Sequence, residues 1–225
     1  MIFDLAIETS TPVGSVALGG AGVLQGEIVL GPSVRHAEAL LPAVQQLLKS
    51  ASARPTDLDR VVVGGGPGSF TGLRIAAATA KGLVHALGLP LYAYSGLLVA
   101  AASSGLRHQP VCALFDARRS EVYAACYSLG AEIETLLEPA VLHIDDLLSL
   151  VAPHSAVFAG EGAVKHEALL RGAGATVLQE QAGVPRASML LSLLQDYPAR
   201  GRVDNAALWE PEYLRGSSAE RGISA

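Results

Sequence analysis

The chain reads as an α/β protein of two related lobes, and three observations carry that reading. A meander of three short strand candidates followed by alternating helix and strand occurs twice along the sequence. Half of the residues are hydrophobic and 16% are charged, so 225 residues can bury a substantial core as one domain or two closely joined lobes. The apolar run Val61-Val62-Val63 feeds Gly64-Gly65-Gly66-Pro67-Gly68, the pattern of a buried strand ending in a turn that opens onto a helix.

The first lobe begins with strand candidates at 2–9, 13–19 and 23–30, joined by tight turns at Thr11-Pro12 and Gly19 to Gly22. Ser33 is placed to cap a helix running to about Ser50. There Val34, Ala37, Leu41, Val44 and Leu48 repeat at helical spacing, with Leu40 and Leu47 beside them. Pro42 lies inside that pattern and is expected to kink the helix or mark its start. Strand 60–65, helix 72–87, strand 90–93 and helix 95–105 complete the lobe.

Near Gln109-Pro110 the pattern restarts. Strands are expected at 110–116, 121–128 and 132–137, a helix at 144–151, a strand at 155–159 and a helix at 163–171. A weaker strand at 175–178 and a helix at 187–196 follow. The expected division is 1–108 for the first lobe and 109–215 for a smaller second lobe. The stretch Ala207 to Arg215, with the only tryptophan, is expected to fold back onto a lobe, and 216–225 to fray.

Composition excludes several classes. Net charge is −5 and basic residues are scattered singly apart from Arg118-Arg119, so no basic face for autonomous nucleic-acid binding is visible. No apolar stretch of about 18 residues escapes interruption, so no membrane span is expected. The first residues enter a strand without a signal-peptide pattern, and a cytoplasmic protein is expected. Two cysteines, Cys112 and Cys126, flank a hairpin. A turn centred on Arg118-Arg119 would give them opposite side-chain parity, so the expectation is two buried, reduced thiols. None of the six histidines lies three or four residues from another, so a His-plus-turn metal motif is absent and no metal site is expected.

The glycine loop is the strongest chemical signal. Ser69 or Thr71 can cap the helix opening near Gly72, whose free amides and positive dipole end suit a phosphate. The loop lacks the Gly-Lys pair of one nucleotide fingerprint and the third glycine of the other. The residues leave open a phosphate cradle or a tight strand-to-helix turn.

Three segments, Leu5-Ala6-Ile7-Glu8-Thr9-Ser10-Thr11, Gly64 to Arg74 and Asp116 to Tyr123, together with Pro211-Glu212-Tyr213-Leu214-Arg215, resemble the TsaB (YeaZ) family of tRNA threonylcarbamoyladenosine biosynthesis proteins. The resemblance spans roughly residues 1–215. It implies the actin-like, sugar-kinase-like ATPase fold in two lobes, and a non-catalytic subunit. Such a subunit pairs with a related catalytic subunit, TsaD, is joined by an ATPase subunit, TsaE, and meets tRNA only through the complex. Self-association as a homodimer is expected when the partner is missing.

The same resemblance points to partner contacts through the helices at 33–50 and 72–87. The residues expected there are His36, Leu40, Leu41, Val44 and Leu47 on the first, and Leu73, Ala76, Thr79, Ala80 and Leu83 on the second, which is rich in small residues that let helices approach. Leu40→Asp or Thr79→Arg is then expected to abolish pairing while the monomer stays folded. Glu8, Thr9, Ser10, Gly66, Pro67, Gly68, Ser69 and Thr71 would form a vestigial or regulatory nucleotide site. No intrinsic cofactor is implied, with ATP or ADP the candidate ligand. This fold usually has Asp where the chain has Glu8. The extra methylene moves the carboxylate by about 1.5 Å, and Glu8 reads as hydrogen-bonding its own turn.

Asp116-Ala117-Arg118-Arg119-Ser120-Glu121 could hold a catalytic acid but reads as a self-contained turn network. Gly160-Glu161-Gly162 is either an adenosine contact or a helix-entry turn. Two enzymatic alternatives stay open. A hydrolase using Ser69 would need a base that the sequence cannot place, whether His36 or His85. A small-molecule kinase would need a general-base Asp and two phosphate loops around Mg²⁺.

Overall fold

The computed structural model describes residues 2–215, built on two five-stranded sheets. In the first sheet, β1 (Asp4–Glu8), β2 (Gly14–Gly20) and β3 (Val23–Leu30) form an antiparallel meander. Strands β4 (Arg60–Gly64) and β5 (Leu91–Tyr94) extend it in parallel from β1, giving the order β3-β2-β1-β4-β5. The second sheet repeats this plan. Its meander is β6 (Pro110–Arg118), β7 (Glu121–Leu129) and β8 (Ile133–His143), and β9 (Val157–Ala159) and β10 (Thr176–Val177) run parallel to β6.

Side-chain alternation along the central strands explains the layers, because successive residues face opposite sides of a sheet. Leu5, Ile7, Val16, Leu18, Val61 and Val63 turn outward toward α1 (His36–Ser50) and α2 (Phe70–Leu87) in one core. Ala6, Ala17 and Val62 turn inward, where α3 (Gly96–Ser103) lies. In the second sheet Cys112 and Leu114 face an outer layer of α4 (Ile144–Leu150), α5 (Glu161–Lys165) and α6 (Glu167–Gly172). Val111, Ala113 and Phe115 face inward toward α3 and α7 (Ala187–Asp196), which is followed by the short α8 (Pro198–Gly201).

The result is five layers, helix–sheet–helix–sheet–helix. The inner helices are exchanged: α3, from the first half of the chain, packs on β6 and β7, and α7, from the second, packs on β1 and β2. Glu27 on β3 ties this junction by accepting from Arg186 Nη2 at 2.9 Å and from the Ser188 amide and hydroxyl. No helix among the described residues is long and apolar enough to cross a membrane.

The structure corrects several expectations. Cys112 and Cys126 are directly paired across β6 and β7 with Cα atoms 4.1 Å apart, and a disulfide joins them. The assumed turn centre failed because of a register shift at the hairpin end: Arg118, Arg119 and Ser120 all take positive φ, and the pairing slips by one between Asp116 and Arg118. That slip puts both cysteines on one face. The first outer helix begins at His36 with no side-chain cap, so Ser33 has no capping role, and Pro42 sits inside the helix. Strand 132–137 extends to His143 through register shifts opposite Ala124 to Tyr127. The helix at 163–171 is two short helices. The expected tail at 216–225 lies outside the described residues.

Candidate functional site

The glycine loop, the β1–β2 turn and the start of α3 meet at the carboxyl ends of β1, β4 and β5. Glu8 is fully buried there. Its Oε1 accepts the Ser10 amide at 2.6 Å, while its Oε2 and the buried Ser10 hydroxyl make no aligned hydrogen bond. Burial pushes the Glu8 carboxyl above its ordinary range against opposing hydrogen bonds from Ser10 and Thr9, because desolvation penalises the charged form.

Most glycines of the loop answer to a close approach within the protein itself. A Cβ on Gly64 would collide with the Glu8 carboxylate, one on Gly68 with the Ser10 carbonyl, and one on Gly72 with the Thr9 carbonyl. Hydrogen bonds knit the same surfaces. Ser69 N donates to Ser10 O at 2.7 Å, Gly65 N to Tyr94 O at 2.7 Å, Gly96 N to Gly66 O at 2.8 Å, and Thr9 Oγ1 to Gly72 O at 2.8 Å. Of the two readings of this loop, the tight strand-to-helix turn accounts for every one of these contacts. Pro67 is buried, while Ser69 and Thr71 are exposed at the start of α2, and Ser69 Oγ caps that helix by accepting the Gly72 amide at 3.3 Å.

Among the described residues no hydrogen bond joins Ser69 to a histidine, and its Oγ accepts the Gly72 amide. His85 lies near the far end of α2, roughly 24 Å along the helix at 1.5 Å per residue, and the His36 ring packs against Gly14.

A partner of this loop that the sequence did not reveal is the segment after α8. Val203 N donates to Leu91 O at the edge of β5, and Lys81 Nζ, on α2, donates to Ala207 O at 2.8 Å and Trp209 O at 3.0 Å. The Trp209 ring reaches the surface of Gly65, and Glu212 N donates to Gly65 O at 2.7 Å. Tyr213 packs on Phe70 with ring centroids 5.1 Å apart, and the Arg74 guanidinium lies over the Phe70 ring, 4.1 Å from its centroid. The segment thus follows α2 from Lys81 back to Phe70. Arg215 then crosses to the second sheet, donating to Ala117 O and pairing with Glu121. The signal available in the sequence was the lone tryptophan followed by proline, which marks an anchored extended stretch but not its path.

In the second sheet Asp116 lies near the carboxyl end of β6, which like β1 is flanked by an antiparallel and a parallel neighbour, but the alternation turns it to the outer face that Cys112 and Leu114 take. Here the acid is paired: Lys165 Nζ donates to Asp116 Oδ1 at 2.8 Å, and the Arg118 amide to the same oxygen at 2.9 Å. Partial burial would raise this carboxyl, but the Lys165 and Arg118 hydrogen bonds and the Lys165 charge outweigh it and hold it low. Gly160 and Gly162 press on the Leu114 and Phe115 backbone, and Gly183 closes over Gly160. The Gly160-Glu161-Gly162 stretch is filled by the protein's own chain as a helix-entry turn.

The residues expected at a partner face divide in two. Leu40, Val44, Leu47, Ala76 and Ala80 are buried in the core beneath α1 and α2 and Leu73 is also buried, so Leu40, 1% exposed, does not present a docking surface. Leu41, 51% exposed, faces outward, and His36, Thr79 and Leu83 are half-buried. The outward face of α2 also carries Ala78, Gly82 and Ala86 at four-residue spacing, with nothing within 4 Å of a Cβ built on Gly82. No group of three or more His, Cys, Asp or Glu is placed to hold a metal among the described residues.

Comparison with known proteins gives a consistent result. Residues 32–218 match the family model described as "TsaD: tRNA N6-adenosine threonylcarbamoyltransferase". The chain is 32% identical to the tRNA threonylcarbamoyladenosine biosynthesis protein TsaB of Escherichia coli strain K12, over 96% of this chain and 95% of that protein. It is 37% identical to the Bacillus subtilis TsaB over 55% of this chain and 54% of the relative. Among solved structures, YeaZ from Pseudomonas aeruginosa superposes with a TM-score of 0.76 at 32% identity, covering 95% of this chain and all of that one. A second Pseudomonas aeruginosa structure, of a protein described by its similarity to peptidase YEAZ, superposes with a TM-score of 0.78 at 33% identity, covering 96% of this chain and all of that one.

Proposed function

The chain belongs to the TsaB (YeaZ) family of tRNA threonylcarbamoyladenosine biosynthesis proteins, with the two-lobed actin-like fold of that family, and from this premise we propose that it acts as a non-catalytic subunit. It takes part in forming threonylcarbamoyladenosine in tRNA. Its partner is a TsaD-like catalytic subunit, joined by a TsaE-like ATPase, and tRNA is met through that assembly in the cytoplasm. Its role is to position and stabilise the catalytic partner rather than to carry the chemistry.

The observation that supports this reading is the outward face of α2. Ala78, Gly82 and Ala86 leave a shallow strip on which a second helix can approach closely, flanked on α2 by Thr79 and Leu83, and α1 exposes Leu41. Small residues at four-residue spacing lower the distance between packed helices and so increase contact area. In the absence of the catalytic subunit the same strip serves self-association. The acids argue in the same direction, since Glu8 is sealed from solvent and Asp116 is neutralised by Lys165. A general base needs access to substrate and a free carboxylate.

The test is transfer of labelled threonine into tRNA by reconstituted bacterial subunits, with and without this chain. Incorporation that needs the chain, with none from the chain alone, supports the reading; incorporation indifferent to its omission overturns it. Gly82→Arg should block pairing with the catalytic subunit without lowering the thermal transition of the isolated chain, since arginine is the better helix former.

A further inference from the structure

The C-terminal segment is anchored in two different ways. Up to Pro211 it is set into the first lobe: Trp209 packs on the core under α2, and Pro211 is buried. The four residues that follow, exposed at Glu212 and partly exposed from Tyr213 to Arg215, bridge three elements. Glu212 holds the glycine loop through its amide, Tyr213 covers Phe70 at the start of α2, and Arg215 reaches the β6–β7 hairpin through Ala117 O and Glu121.

We propose that Glu212–Arg215 is an interlobe hook that opens as a unit while both sheets stay folded, and that its opening loosens the glycine loop and the β6–β7 hairpin together.

Two features of its surroundings make the hook a shared restraint. Gly66 has a φ of 91°, and a Cβ there would meet the Glu212 carbonyl at 2.5 Å, so the loop backbone is shaped around the hook. At the other end, Arg118, Arg119 and Ser120 are successive non-glycine residues with φ of 65°, 54° and 61°. Left-handed conformations are unfavourable for such residues and persist only where surrounding contacts enforce them. The contacts around the turn are Arg118 N to Asp116 Oδ1, Arg215 to Ala117 O, and Ile144 N to Ser120 O at 3.1 Å. Removing the hook therefore takes a restraint from both sites at once. Segments held by side-chain contacts and partly exposed hydrogen bonds open with free energies well below that of global unfolding.

This inference is independent of the pairing reading and is tested on the isolated full chain by hydrogen–deuterium exchange with peptide resolution. Arg215→Ala and, separately, Tyr213→Ala should each speed exchange of peptides covering 64–72 and 116–122 by about tenfold or more. Peptides covering 4–8 and 123–127 should be unchanged, and Arg215→Lys should restore part of the protection at 116–122. Acceleration confined to the peptide nearest each substitution would overturn the coupling. Uniform acceleration of all peptides would overturn it too, by showing the hook to be part of the cooperative core.

Discussion

Glu8 and Gly64 share one volume at the ends of two parallel neighbouring strands: the Glu8 carboxylate occupies the space in which a Cβ on residue 64 would have to sit. The longer acid is accommodated in the turn because its strand neighbour has no side chain. Ser10 N–H, bonded to Oε1, then fixes where the carboxylate lies.

Gly64→Ala is expected to destabilise the protein by about 2 kcal/mol through overpacking. The double variant Gly64→Ala with Glu8→Asp should recover much of that loss, because shortening the acid vacates the contested space. Urea unfolding of the four proteins in this cycle checks it. Additive effects would show that the two residues are not coupled.

Glu8→Gln should change the pH dependence of stability. Burial raises the folded-state carboxyl above its unfolded value of 4.5, so the native state favours the protonated acid. The stability this acid contributes is present in full below the unfolded value and declines as pH rises toward the folded value. Glutamine keeps an acceptor for Ser10 N–H without the charge. The variant should match the parent near pH 4 and exceed it at pH 7, measured by urea midpoints across that range. Equal stability at both ends would show that Glu8 is not strained by ionisation.

Leu40 and Leu41 are adjacent in sequence and opposite in consequence. Leu40→Ala should cost about 2–5 kcal/mol, as buried leucine truncations do, and Leu40→Asp should unfold the chain. Leu41→Asp should leave the circular dichroism spectrum and melting temperature within error of the parent, while weakening association with the catalytic partner. Folding of Leu40→Asp would show that the core under α1 is absent.

Glu27 is the counter-case to Glu8. Burial alone would raise its carboxyl, but the Arg186 and Ser188 hydrogen bonds and the Arg186 charge outweigh that and place it below its unfolded value of 4.5. Its contribution is therefore present above that value and lost as pH falls through the folded one. Glu27→Gln should cost about 2 kcal/mol at pH 7, in the range of hydrogen bonds to a charged group, and progressively less toward pH 3. A pH-independent difference would mean that packing rather than charge holds β3 to α7.

Much of the architecture was legible because it rests on local periodicity. The apolar run Val61 to Val63, the amphipathic pattern of 36–50, and the glycine run closing β4 each carry their structural meaning within a few residues. The outward and inward members of the α1 stripe were not separable in the same way. Leu40, Val44 and Leu47 belong to the core and Leu41 to the surface, yet all four fit one apolar helical face, and only the position of the sheet beneath says where that face ends.

What the sequence by itself determined is the order of elements, their repeat in two halves and the family to which the motifs belong. The tertiary structure alone decided the pairing of Cys112 with Cys126, the exchange of α3 and α7 between sheets, and the path of the segment from Ala207 to Arg215. The physical reason is range. A one-residue slip in a hairpin reverses the side-chain parity of everything beyond it, and an extended segment without its own periodicity takes its course from distant partners such as Lys81, Gly65 and Ala117.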